Sequence, residues 1–176
     1  MTPLLANVGI PMIAIQMWWM ILAFIPIVLV ESIIIKRRLD MRFSRILLDV
    51  GLANAVSTLM GVPLAWLFTF ILEIVTTSGG TAFGLDSPLK KLIAVTLQAA
   101  WLVPYKGQHY WMVPAASTAL LIPSFLLSVP MERLVLKLRW DDQNPATVAA
   151  VVLRANVVSY LLLFLIGSIY TLFKLQ

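Results

Sequence analysis

Four long, uninterrupted apolar runs constrain this chain more than any other feature. They extend from about Met17 to Ile35, from Ile46 to Trp66 or a little beyond, from Trp111 to Met131, and from Ala146 to Leu172. A bilayer core about 30 Å thick is crossed by roughly 20 apolar residues in a helix. Strands of a membrane barrel would alternate polar and apolar residues, and these runs do not. The pattern predicts an all-α polytopic membrane protein with four transmembrane helices. Composition agrees. Only 12% of the 176 residues are charged, against roughly 25% in soluble domains, too few to cover a water-facing surface.

The cations set an orientation. Lys36, Arg37, Arg38, Arg42 and Arg45 lie between the first two runs, and Arg133, Lys137, Arg139 and Arg154 lie in or beside the turn between the last two. All seven arginines thus fall on one side, leaving only Lys90, Lys91, Lys106 and Lys174 for the other. The positive-inside rule predicts cytoplasmic arginine-rich turns and both termini outside, as in a bacterial inner membrane. Trp18, Trp19, Trp66, Trp111 and Tyr170 then fall near the outer ends of the runs, where amphipathic rings favour the headgroup level. The net charge of +5 is explained by this clustering at helix ends, so nucleic acid is not an expected partner. The opening MTPLLANVGIPMIAIQ has no basic residue before its apolar part, which argues against a cleaved signal peptide. Pro3 to Gln16 is too short to cross alone; it either lies in the interface or lengthens a tilted first helix.

A repeated pattern organises the chain. ESIIIKRRL from Glu31 parallels ERLVLKLRW from Glu132, and ANAVS from Ala53 parallels ANVVS from Ala155. Each copy reads as a helix running inward, a basic turn and a helix running outward. We read residues 17–75 and 111–176 as two similar helical hairpins related by a parallel pseudo-two-fold, with residues 76–110 connecting them on the outer side. In that connection Ser87 and Pro88 open a helix as N-cap and first helical residue. Leu89, Leu92, Ile93, Leu97, Ala100 and Trp101 recur at helical spacing, so the segment is expected to be an amphipathic helix on the outer surface or docked on a partner.

The repeat also nominates a site. Glu31 lies about 7 Å along a helix from Lys36, and Asn54 about 12 Å into the second run, so acid and amide meet within the inner leaflet; Glu132 and Asn156 stand in the same relation. Arg154, two residues before Asn156, is placed to reach the interface or to pair with either glutamate. Two readings compete. The first is a structural clamp, in which an inward-facing carboxylate takes a hydrogen bond from an amide. The second is an ion or proton site built from two quasi-equivalent carboxylates. Asp49 is expected to act locally, as an acid in the first helical turn, and Glu73 to sit in water or headgroups. Ser57, Ser159, Gly61 and Gly167 are read as packing residues, and Gly61 with Pro63 as a kink.

Nothing else suggests chemistry. There are no cysteines, and no phosphate loop, dinucleotide fingerprint, zinc-protease motif or nucleophile elbow. His109 is the only histidine, with no second histidine or nearby carboxylate in its loop to complete a metal or nucleophile set. No cofactor or metal is expected. The leading reading is a non-enzymatic assembly, scaffolding or interaction component of the membrane, partnered by the lipid bilayer and by copies of itself or other membrane proteins. The alternative is a small transporter or channel subunit using Glu31 and Glu132. A lipid-acting enzyme ranks third, because His109 is separated from the glutamates by a membrane thickness.

Overall fold

The computed structural model describes residues 9–77, 83–103 and 107–175; Lys106 and the segment before Gly9 lie outside them. Among the described residues, four helical rods are long and apolar enough to cross a membrane. The first is α1 (Met12–Lys36). The second is α2 (Phe43–Val56), a π-helical turn (Ser57–Gly61) and α3 (Val62–Thr77) in series. The third is α5 (His109–Ala119) followed by α6 (Leu121–Arg139). The fourth is α7 (Pro145–Leu175). Between the second and third lies the short helix α4 (Pro88–Leu97).

The exposed surface, not the largely apolar interior, sets this chain apart from a water-soluble bundle. Large apolar residues such as Ile25, Leu48, Phe68, Leu126, Ile166 and Phe173 are exposed, as a lipid solvent requires. Glu31, Asp49, Asn54, Ser57, Glu132, Asn156 and Ser159 are buried, because hydrocarbon cannot satisfy their polar groups.

Prolines shape the rods. Proline lacks an N–H and clashes with the carbonyl four residues back. Pro123 therefore frees the Ala119 carbonyl, and the third rod breaks at Leu120. Pro63 acts likewise on Leu59, and there the chain takes a π turn that ends at Gly61, an insertion known to relieve such conflicts. A Cβ on Gly61 would lie 3.3 Å from Met131 Sδ, so the glycine also lets this rod approach the third.

The second rod is longer than the sequence predicts. It continues eleven residues past Trp66 to Thr77, and Glu73 is buried there instead of standing in water. Its carboxylate accepts the Trp101 backbone N–H at 3.0 Å, and the Trp66 indole N–H donates to the Ala100 carbonyl at 2.8 Å. The connection is thus fastened to α3. Strand β1 (Ile10–Pro11) pairs antiparallel with β2 (Trp101–Leu102), tying the start of α1 to the same place. Ser87 caps α4 by accepting the Lys90 N–H at 3.2 Å, as expected, but the helix ends at Leu97. Two of the five belt aromatics are held by contacts within the chain. Trp111 is buried and bonds Gln108, and Trp66 stacks on Phe70; Trp18, Trp19 and Tyr170 face outward.

At the opposite, arginine-rich end, Asp49 departs from its expected local role. It lies in the seventh position of α2, not the first turn, and is 2% exposed. Arg139 Nε and the Trp140 indole N–H donate to its two oxygens at 2.8 and 2.7 Å. Arg45 in turn reaches Asp142 at 3.3 Å and the Arg139 carbonyl at 3.1 Å. Lys36 donates to the Met41 carbonyl at 2.8 Å, closing the first basic turn. Around these contacts pack Ile35, Leu39, Ile46, Leu136, Trp140 and Val148.

Candidate functional site

The nominated glutamates lie on α1 and α6, and both are closed from solvent and lipid: Glu31 is 1% exposed and Glu132 2%. Asn54 Nδ2 donates to Glu31 Oε2 at 2.7 Å, and Asn156 Nδ2 to Glu132 Oε2 at 2.7 Å. The remaining carboxylate oxygens are taken by hydroxyls. Ser159 donates to Glu31 Oε1 at 2.6 Å, and Ser57 to Glu132 Oε1 at 2.9 Å. Each glutamate therefore receives its amide from the helix that comes after it in sequence and its hydroxyl from a helix of the other half of the chain.

The local geometry is the same at both glutamates. Each asparagine also donates to the carbonyl four residues back, Val50 at 3.1 Å and Val152 at 3.2 Å. Each serine hydroxyl lies 3.1 Å from its asparagine's own carbonyl. A serine has one proton to give, and in both cases the carboxylate is the nearer acceptor. Asparagine and serine stand three apart on each helix, so they share a face. The π turn starts at Ser57, at the point where that hydroxyl meets Glu132.

These contacts revise one expectation and separate the two alternatives open to Arg154. Ser57 and Ser159, expected to serve packing alone, are direct partners of the carboxylates; the signal available in the sequence is the shared spacing Asn-x-x-Ser. Arg154 does not join them. It lies exposed on α7 and lines a cleft with Arg38, because residues 154 and 156 are about 200° apart around a helix. Arg37, Arg42, Arg133 and Lys137 are likewise exposed near the turns.

No protein-family profile, curated protein or solved structure matches the chain.

The chemistry of the cluster is accordingly read from its own geometry. All four carboxylate oxygens have a donor, which suits a fixed joint between helices. Two buried polar atoms beside the cluster have no partner, Asn156 Oδ1 and Ser32 Oγ. A cleft of about 730 Å³ opens at the far end, between α1, α5 and α7. Gln16, Ser117, His109 and Lys174 are among its lining residues, with Trp19, Leu163 and Tyr170 on its apolar walls. Neither glutamate lines this cleft or the smaller one beside Arg154.

Proposed function

We propose that this chain is a non-catalytic membrane component, an assembly or interaction protein whose two similar hairpins, residues 17–75 and 111–176, are locked by a reciprocal Glu–Asn–Ser clamp. One observation carries the reading: both carboxylates are fully engaged and sealed away from either cleft. A transport site needs access from at least one side, and a clamp needs none. The matched spacings support a duplicated hairpin. Glu31 and Glu132 are 101 residues apart, Asn54 and Asn156 102, and Ser57 and Ser159 102. The crossing of the serines between halves is what a pseudo-two-fold along the membrane normal would generate. On this reading the arginine-rich turns are cytoplasmic, the α4 connection is external, and the partners are the bilayer with copies of the chain or other membrane proteins.

A second reading, a small transporter or channel subunit, is favoured by one feature. Ser124, Ser128 and Glu132 recur every four residues along α6 and are all buried. Ser128 shares a 2.8 Å hydrogen bond with Tyr160, and Ser124 accepts from Gln16 at 3.1 Å. Gln16 lines the larger cleft. A polar stripe thus leads from the carboxylates towards the far end.

Proteoliposome measurements separate the two. If Glu31→Gln combined with Glu132→Gln preserves the fold but abolishes a cation or proton flux seen with the wild type, the transport reading replaces the first. The clamp reading expects no flux from the wild type, lowered thermal stability for each single change, and copurification of a defined complex in mild detergent.

A further inference from the structure

The smaller cleft, at the arginine-rich end, has a volume of about 480 Å³ and is lined by Arg38, Ala146, Thr147, Ala150, Val151 and Arg154. Five of these residues form one stripe of α7, and their small side chains keep the floor of the cleft low between the two arginines. The helix N-terminus is not free to bind anything here, because Asn144 Oδ1 already accepts the N–H groups of Ala146 and Thr147 at 2.9 and 3.3 Å.

The two guanidiniums stand without counter-charges. Among the described residues neither the Arg38 nor the Arg154 side chain has an ion-pair or hydrogen-bond partner. The carboxylates at the arginine-rich end contact other cations: Asp49 meets Arg139, Asp142 meets Arg45, and the fully exposed Asp40 lies 4.0 Å from Lys36. Asp141 pairs with neither arginine. Like charges on one cleft repel each other unless an anion lies between them.

Depth sharpens the problem. Helix α7 has 31 residues, about 46 Å of helix, against a hydrocarbon core of about 30 Å. With the helix centred on that core, its overhang is about 8 Å at each end, while Arg154 lies nine residues, about 13 Å, from its start. The Arg154 backbone is therefore about 5 Å inside the hydrocarbon edge on the lipid-facing side. Its long side chain can snorkel towards the phosphate level, and Arg38, in the turn after α1, lines the same cleft.

We infer that this cleft binds the phosphate of an anionic bilayer phospholipid between Arg38 and Arg154, with acyl chains along the exposed Val157, Val158 and Leu161 face of α7. The inference rests on the membrane-spanning reading and is independent of whether the glutamates clamp or transport. Basic pockets between membrane helices are suited to such headgroups. Two forked guanidiniums suit a phosphate better than point charges would.

The test is native mass spectrometry of the detergent-purified full chain with phosphatidylglycerol or phosphatidylcholine. The wild type should retain phosphatidylglycerol preferentially. Each arginine is worth about fivefold in that preference, and Arg38→Gln with Arg154→Gln together about 25-fold. Removing the same charge nearby, by Arg133→Gln with Lys137→Gln, should leave the preference in place. Equal retention of both lipids by the wild type, or an equal loss in the control pair, overturns the inference in favour of general surface attraction. Stabilisation by inorganic phosphate as large as that by the lipid overturns it in favour of a soluble anion. Should the double variant fail to fold, headgroup photo-crosslinking of the wild type decides. Crosslinks should concentrate on the tryptic peptide 140–154, and crosslinks spread over all exposed helices would count against the site.

Discussion

At the residue scale the buried polar contacts divide the work unequally. Hydrogen bonds between membrane helices are worth about 0.6 kcal/mol on average and up to about 1.7 in double-mutant cycles. The crossed pairs Ser159–Glu31 and Ser57–Glu132 should each show a coupling energy in that range by denaturant unfolding; additivity of the single changes would mean the hydroxyls contribute nothing specific. Asp49 should matter differently. Replacing Arg139 by alanine leaves a buried carboxylate with the Trp140 indole and a distant Arg45, 3.8 Å away. We expect a loss of about 1.5–3 kcal/mol, larger than for Arg45→Ala, whose main contact is exposed. Much of this is legible in the sequence. Glu31 with Asn54 and Glu132 with Asn156 can be paired from depth along a helix. The serine partners cannot, because which helices of the two halves face each other is a tertiary fact. The role of Asp49 is hidden for the same reason, since its partners Arg139 and Trp140 lie some ninety residues away and no local pattern connects them.

At the element scale the π turn is the feature that aims Ser57. Replacing Pro63 by alanine restores the missing N–H and lets the rod continue as an α-helix. Taking the extra residue of the π turn into α geometry rotates the part of the rod before it by about 100° relative to the part after it. Pro63→Ala should therefore lower the melting temperature, and in that background Ser57→Ala should have no further effect; a full additional loss would show that the hydroxyl still reaches Glu132. Gly61 and Pro63 mark this place in the sequence, but not the π character of the turn that forms there. The start of α4 gives a pH prediction. The Lys90 side chain, hydrogen-bonded to Asp86 at 2.8 and 3.0 Å, holds the exposed Asp86 carboxyl below its ordinary range. A depressed folded value means the contact helps α4 at pH above the ordinary carboxylate range and fades as pH falls through the depressed value. Amide exchange in α4 should accelerate over that acid window, and Asp86→Asn should remove the dependence.

At the scale of the whole molecule, four apolar rods surround a polar centre, and each end is tied differently. One end is closed by ion pairs around Asp49 and the other by the α4 connection, the β1–β2 pair and Glu73. The absence of cysteine makes the orientation easy to examine. On the proposed orientation, a membrane-impermeant maleimide added to intact spheroplasts should label Leu89→Cys and leave Asp141→Cys unlabelled until the cells are opened; the reverse pattern would invert the chain. The number and rough limits of the rods are legible from the apolar runs alone. The extension of the second rod to Thr77 is not, because Glu73 reads as a water-facing residue until the Trp101 N–H is seen to cover it.

The crossed serines have a consequence for biogenesis. A nascent chain emerging from the insertion machinery delivers Glu31 and Asn54 long before Ser159 exists. During that interval one oxygen of Glu31 has no donor from the chain, and Ser57 awaits an acceptor that has not been synthesised. The fourth rod, synthesised after the other three, is the one that completes the first acid. A chain that stops before α7 therefore lacks the donor to one oxygen of Glu31.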